Sequence, residues 1–150
     1  MIKDKYMENI NYQNVIAQLL KTLPEFSRTY KKLLTDFDDD VGQHIIFGEL
    51  TRFTIRKYKI AAQMQKKDKV RYAAALDVVK KIIKFIEVCL MARDPKVREL
   101  AAFSFLENLW QAGKYYNAMK GMLSKGAKTE LERIDVWWEH LGEQKAASQS

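Results

Sequence analysis

The sequence of 150 residues is poor in the residue types that interrupt or cross-link a chain, with one cysteine, two prolines and six glycines. The single cysteine, Cys89, excludes a disulfide within the chain, and with only two histidines beside it a structural zinc site is not expected. So few turn-forming residues argue against a β-sandwich, whose short strands need frequent turns. Long helices with few connections fit this composition better.

Long apolar runs and enzyme motifs are also missing. No stretch approaches the roughly 18 consecutive apolar residues that a membrane helix needs, and residues 1–6 lack the apolar core of a signal peptide. The sequence contains no glycine-rich phosphate loop, nucleophile elbow, HExxH or CxxC motif. We therefore expect a cytoplasmic protein that binds no cofactor or metal and is not an enzyme.

Basic residues predominate, with 26 Lys and Arg against 19 Asp and Glu and a net charge of +7. This excess favours an acidic partner of one of three kinds: nucleic acid, an anionic membrane surface or an acidic protein. Many of the cations fall in residues 56–84, from Arg56 to Lys84, where a basic helical protein would bind nucleic acid. Only Tyr58 and Tyr72 are available there to stack on bases, so a solvated basic surface is the alternative interpretation.

Apolar residues recur at helical spacing along most of the chain, of which 47% is hydrophobic. The widest apolar face falls at residues 70–92 and predicts a central helix that is buried on most sides. Asp94 followed by Pro95 predicts the start of the next helix, which would stop at Gly113. The pattern predicts an all-α fold, either an irregular antiparallel bundle or a short solenoid-like stack of about seven helices.

The last helix boundaries are predicted from a glycine and a capping pattern. Gly126 suits the C-terminal end of the sixth helix. Thr129 and Glu132 have the spacing of a capping box, which would start the seventh helix. Residues 1–141 are predicted to form one domain that includes this helix, and residues 142–150 a disordered tail.

One segment reverses the basic character of the chain, because residues 36–49 contain five acids and no lysine or arginine. This local negative charge indicates either a contact surface for a partner or a solvated loop. A calcium loop would need a later glycine and a glutamate at position twelve, which this register lacks. His44 and Glu49 are five residues apart, a poor spacing for an acid–base pair on a helix. The acids of the segment are Asp36, Asp38, Asp39, Asp40 and Glu49.

Polar and aromatic residues near the C-terminal end are further candidates for partner contacts. Glu107 and Asn108 fall within an apolar stripe, so they must be hydrogen-bonded inside the protein or face a partner. If Trp138 points inward with Ile134, the adjacent Trp137 must be partly exposed, and exposed tryptophans and tyrosines are favoured anchors of protein interfaces. Packing beneath the predicted tail is the alternative. The aromatic candidates are Trp110, Tyr115, Tyr116 and Trp137.

Two short segments, residues 47–53 (FGELTRF) and residues 103–109 (FSFLENL), carry a family resemblance. They resemble the signature stretches of a family of small all-helical bacterial proteins of uncharacterised function, which occurs among polymorphic toxins and their immunity proteins. The similarity would cover about residues 12–125. It implies a cytoplasmic immunity protein that binds a cognate toxin domain, most concretely a nuclease, and blocks it.

Overall fold

A computed structural model describes residues 9–149, with side chains up to residue 142. This part of the chain consists of helices and connecting turns without a strand, which confirms the predicted all-α class. The α-helices are α1 (Val15–Thr22), α2 (Ser27–Asp36), α3 (Gln43–Met64), α4 (Lys69–Leu90), α5 (Pro95–Glu99), α6 (Tyr116–Gly121) and α7 (Lys125–Gln149). A short 3₁₀ turn, Pro24–Phe26, precedes α2.

Helices α3 and α4 form the centre of the fold. Each has 22 residues, and the short connection at residues 65–68 folds them into an antiparallel helical hairpin. Helix α4 also contacts α1, α5 and α7, which agrees with the central, widely buried helix expected from its sequence. The residues of α4 that are fully buried in the core are Val79, Ile82, Ile86 and Cys89.

The start of α5 is tied to the N-terminal end of the described chain. Asp94 caps α5 as predicted, because its Oδ1 accepts a hydrogen bond from the backbone N–H of Lys96 (3.0 Å). Its Oδ2 accepts another from the backbone N–H of Tyr12 (2.8 Å), 82 residues earlier. One carboxylate therefore joins the segment before α1 to the first turn of α5.

Asp94 gives a prediction for the pH dependence of stability. The N–H groups of Tyr12 and Lys96 hold the pKa of the Asp94 carboxyl below its ordinary value. The ionised carboxylate therefore stabilises the fold at every pH above the ordinary pKa of an aspartate. This stabilisation is lost as the pH falls through the lowered pKa of the folded protein. We expect Asp94→Asn to lower the Tm at pH 7, since an amide has only one oxygen to accept two N–H groups. Thermal unfolding followed by circular dichroism should show the difference from wild type shrinking below about pH 4.

The matched control for this experiment is Asp77→Asn. Asp77 is exposed on α4, where it forms an ion pair with Lys81 (3.3 Å) across one helical turn. Exposed pairs of this kind contribute little. A Tm loss at pH 7 that is equal for the two variants would contradict the role given to Asp94.

The chain from α5 to α6 is one irregular helical stretch. It continues from α5 as a π-helical turn, Leu100–Phe105, and then as a 3₁₀ segment, Leu106–Tyr115. The sequence predicted a regular helix here, but it placed the break correctly: Gly113 has φ +57°, a left-handed conformation that glycine adopts readily. The π turn and 3₁₀ segment both pack on α3, which positions the site described below.

Two predicted boundaries of the last helix are wrong. Helix α7 begins at Lys125, so Gly126 lies in its first turn instead of ending α6. Thr129 is inside α7 and its hydroxyl donates to the carbonyl of Lys125 (2.9 Å), so it is not a cap. The capping position belongs to Ser124, whose own N–H donates to Glu87 Oε1 on α4 (2.7 Å). This contact between distant residues fixes the start of α7 and is invisible to a local sequence pattern.

Helix α7 continues past Gly142, and its backbone is helical to Gln149. A single glycine costs a helix only about 1 kcal/mol relative to alanine, and the following residues 143–147 are strong helix formers that offset it. The domain boundary proposed at residue 142 remains a prediction.

Candidate functional site

The two signature stretches of the sequence lie against each other in the core. The first belongs to α3, and the second spans the π turn and the start of the 3₁₀ segment. Phe47 and Leu50 from the first stretch are fully buried, as are Phe105 and Leu106 from the second. The residues that carry the family resemblance are therefore mainly core residues that hold α3 against the irregular helix.

A small polar network crosses this interface. The hydroxyl of Thr51, which is buried, is within hydrogen-bonding distance of the carbonyls of Phe47 (3.1 Å), Ser104 (3.4 Å) and Phe105 (3.2 Å). The amide of Asn108 also donates to the Ser104 carbonyl (2.9 Å). Side chains from α3 and from the 3₁₀ segment therefore both contact backbone carbonyls of the π turn, so polar groups buried at this interface are paired.

Asn108 is therefore hydrogen-bonded inside the protein, which is one of the two alternatives that its sequence position left open. Its Oδ1 accepts from Gln111 Nε2 (3.3 Å), so both ends of the amide are engaged. Glu107 beside it is half-buried. The candidate role of Asn108 in partner binding is weakened, because a partner would have to displace hydrogen bonds that shape the π turn.

The fold pairs His44 with Ser104, a contact that sequence reasoning missed. Nδ1 of His44, at the start of α3, is hydrogen-bonded to the hydroxyl of Ser104 in the π turn. A histidine beside a serine is the minimal arrangement for nucleophilic catalysis. Ser104 is buried, however, and neither residue of the pair lines the cleft between α2 and α3 that is described below. The pair links the two signature stretches, and the only sequence signal for it was a serine on an otherwise apolar face.

The network can be tested with Thr51→Val. We expect this variant to lower the free energy of unfolding by about 1–3 kcal/mol, because it removes a buried hydroxyl that lies within hydrogen-bonding distance of the Ser104 and Phe105 carbonyls. The matched control is Thr54→Val, since Thr54 is equally buried but donates only to the carbonyl of Leu50 within its own helix (2.7 Å). Urea denaturation of both variants measures the difference. Equal losses would mean that the contact with the π turn adds nothing.

The acidic loop, residues 36–40, follows α2 and is exposed. It ends the helix with a Schellman arrangement, in which the N–H of Asp39 donates to the carbonyl of Leu34 (2.7 Å) and the N–H of Asp38 to that of Thr35 (3.4 Å). Asp38 and Asp39 have φ of 51° and 63°, where glycine is the usual residue. The strained backbone holds two adjacent carboxylates out in solvent.

A glycine at Asp38 should stabilise the protein. Relief of the left-handed strain is worth about 1–2 kcal/mol, and the added freedom of the unfolded chain costs about 0.5–1 kcal/mol, so Asp38→Gly should raise the free energy of unfolding by about 0.5–1 kcal/mol. Asp40→Gly is the control, because Asp40 lacks a positive φ and should only lose stability. Chemical denaturation of the two variants would contradict the strain argument if both lost stability.

Glu49 does not extend the acidic surface. Its Oε2 accepts from Nε of Arg52 (2.9 Å) and its Oε1 accepts from Nη2 of Arg56 (3.2 Å). The guanidiniums of Arg52 and Arg56 therefore compensate the charge of Glu49, the only acid of residues 36–49 that lies within α3. The spacing of these arginines, three and seven residues after Glu49, is the sequence signal that would have revealed the pairing. A negative contact surface here consists of the loop aspartates alone.

The structure separates the predicted aromatic residues into packed and exposed groups. Tyr115 is half-buried and packs edge-on against Tyr58, with 5.6 Å between ring centroids. Tyr116 is also half-buried and donates its hydroxyl to Asp135 Oδ2 on α7 (2.8 Å). Burial and then this carboxylate raise the pKa of Tyr116, so the phenol remains a proton donor. Both tyrosines hold the fold together and offer little free surface.

All three tryptophans are exposed, with relative accessibilities of 67% for Trp110, 50% for Trp137 and 48% for Trp138. The expectation that Trp138 points inward is wrong. Leu131 and Ile134 of α7 are buried, but the apolar stripe of the helix continues beyond the body of the protein and leaves Trp138 half exposed against the ring of Trp137. Exposed Val136 enlarges this apolar area on α7.

The basic residues of the segment 56–84 lie mostly on the outside of the α3–α4 hairpin, as on any solvated helix surface. Tyr58 and Tyr72, the tyrosines of this segment, are both half-buried, and Tyr58 packs against Tyr115. Without free aromatic platforms, this surface offers charge alone to a nucleic acid.

Cys89 is a buried thiol. Burial raises the pKa of the Cys89 thiol, which disfavours the reactive thiolate. Among the residues that the structure describes, no group of three His, Cys, Asp or Glu side chains is placed to hold a metal ion. No helix in the same part of the chain has both the length and the apolar character needed to cross a bilayer.

Comparison with known proteins places this architecture in a family. A search of curated proteins finds no match, and a search of solved structures finds none either. Residues 16–139 match the family model described as Domain of unknown function (DUF7674). This range contains both signature stretches, the acidic loop and all three tryptophans, and it covers most of the chain. The chain therefore belongs to the DUF7674 family.

Proposed function

We propose that this protein is a non-catalytic binding protein that acts in the bacterial cytoplasm as an immunity protein, neutralising a toxin domain by direct contact. The observation that carries the proposal is the exposure of every tryptophan in the chain. Tryptophan is strongly buried on average in folded proteins, and it is the residue most enriched among the energetic centres of protein interfaces. The three exposed tryptophan side chains present a large apolar area to water, and binding to a partner would remove that area from solvent.

The charge around these tryptophans supports a basic partner. Residues 130–139 of α7 contain four carboxylates and one arginine. The acidic loop is a second negative region within a chain of net charge +7. A nuclease that binds phosphates needs a basic surface, and this carboxylate-rich, tryptophan-bearing segment of α7 complements such a surface in both charge and apolar contact. The resemblance to a family found among toxin immunity proteins points to the same class of partner.

The proposal is tested first in cells. The genes on either side of this one are sequenced, and a toxin-like reading frame found there is expressed in a heterologous bacterial host, with and without the full chain. We expect the chain to restore growth and the two purified proteins to elute together in size-exclusion chromatography. A chain that neither binds the neighbouring product nor protects the host would refute the immunity function.

Intrinsic fluorescence provides a direct readout of the same complex. Because all three tryptophans are exposed, their emission in the free protein should be strongly quenched by iodide. Binding should shift the emission to shorter wavelength and protect it from the quencher, provided that the partner domain used is free of tryptophan. Complex formation with unchanged quenching would place the interface elsewhere on the protein.

A further inference from the structure

A cleft of about 510 Å³ lies between α2 and α3, away from the tryptophans of α7. Its lining is polar and mostly basic. Helix α2 contributes Arg28, Thr29 and Lys32, and helix α3 contributes Glu49 and Arg56. Three cations from two helices therefore face one space, with a single carboxylate among them. Such a concave arrangement concentrates positive potential within the cleft.

The one carboxylate does not cancel this potential. Glu49 is shared between Arg56 in the cleft and Arg52 one turn earlier, so a single negative charge compensates two positive ones. The same contacts hold the Arg56 side chain through one Nη atom (3.2 Å). A guanidinium has five N–H donors, so most of those on Arg56 remain for another acceptor. Glu49 acts as a positioning residue that limits the movement of Arg56.

We propose that the cleft between α2 and α3 binds a phosphate oxyanion, with Arg28 and Arg56 as the forked donors, Lys32 as a point charge and Thr29 as a neutral hydroxyl donor. Arginine forks match the geometry of phosphate oxygens, and hydrogen bonds between charged partners are about twice as strong as neutral ones. The lining contains no aromatic ring to stack on a base. The ligand is therefore recognised by its phosphate group, whatever organic part is attached.

The position of the anion within the cleft follows from the neighbouring acids. A smaller space of about 140 Å³ continues from the cleft and is lined by Thr29, Lys32, Leu33, Asp36 and Glu49. Asp36 repels an anion at that end. The phosphate therefore occupies the end of the cleft between Arg28 and Arg56, away from the negative charge of Asp36.

The experiment uses the full chain and records backbone amide shifts by NMR during titration at constant ionic strength, with chloride as the reference salt. The probes are inorganic phosphate, a nucleoside triphosphate and a short single-stranded DNA. We expect saturable shifts confined to residues 28–36 and 49–56. Saturation by inorganic phosphate identifies the free ion as a sufficient ligand. Saturation only by the triphosphate or the DNA supports the same site and identifies an organic phosphate or a nucleic-acid backbone as its source.

Variants separate this site from the general effect of net charge. Arg28→Gln and Arg56→Gln should each weaken binding about tenfold. Arg71→Gln and Lys84→Gln remove the same charge from exposed positions on α4 and should leave the affinity within about twofold of wild type. Circular dichroism confirms folding, which these exposed residues do not control. Equal losses in all four variants, shifts spread along α4, or no saturation with any probe would overturn the proposal.

Discussion

Replacing Trp137 with alanine is expected to weaken the complex with the toxin domain by at least about thirtyfold while leaving the fold intact. The expected loss corresponds to the 2 kcal/mol or more that defines an energetic centre of an interface. The side chain is half exposed and so contributes limited packing to the free protein. Isothermal titration calorimetry gives the affinity, and thermal unfolding checks that the Tm of the free variant is little changed.

The control for Trp137 is an apolar residue that is exposed elsewhere. Val70 at the start of α4 is highly exposed and does not lie on α7. Val70→Ala should therefore change the affinity less than about twofold, as is usual for residues outside an interface. Comparable losses in Val70→Ala and in Trp137→Ala would contradict α7 as the docking helix.

Trp110→Ala locates the edge of the same interface. Trp110 is the most exposed of the tryptophans and lies on the 3₁₀ segment, which packs against α7. A loss of affinity in both tryptophan variants would define a surface that includes the 3₁₀ segment and α7. If only Trp137 matters, the contact is confined to α7 and the acidic residues around it.

Local signals in the sequence were sufficient to predict the helices but not the contacts between them. The apolar spacing of α4, the cap at Asp94 and the break at Gly113 are all properties of short segments, and the structure has each of them. The π turn was missed because the donors that stabilise it include Thr51, which is more than fifty residues away. The apolar periodicity of residues 100–105 contains no information about a hydrogen-bond donor as distant as Thr51.

The exposure of individual site residues was harder to predict for the same reason. The helical spacing correctly placed Trp138 on the apolar stripe of α7. Whether other helices cover that part of the stripe depends on the whole fold, and Trp138 is half exposed. Glu49 was grouped with the loop aspartates by counting charges along the chain, whereas three-dimensional neighbours decide its effective charge. The loop aspartates are exposed, as the sequence indicated, because four acids within five residues form no apolar stripe.

The second large effect concerns the core formed by the signature stretches. Phe105→Ala is expected to lower the free energy of unfolding by about 3–5 kcal/mol, because Phe105 is almost completely buried where the π turn packs on α3. Phe103 has the same side chain two residues earlier, but it is 49% exposed, so Phe103→Ala should cost at most about 1 kcal/mol.

The comparison of these two phenylalanines distinguishes a structural role of the signature stretch from a binding role. If residues 103–109 serve only to form the core, Phe105→Ala destabilises the protein. The molecules that remain folded then bind the toxin domain with unchanged affinity. If Phe103→Ala instead loses affinity without losing stability, the stretch also supplies a contact residue next to the π turn. Urea denaturation and calorimetry on both variants measure the two quantities separately, and similar destabilisation of both would contradict the burial pattern of the π turn.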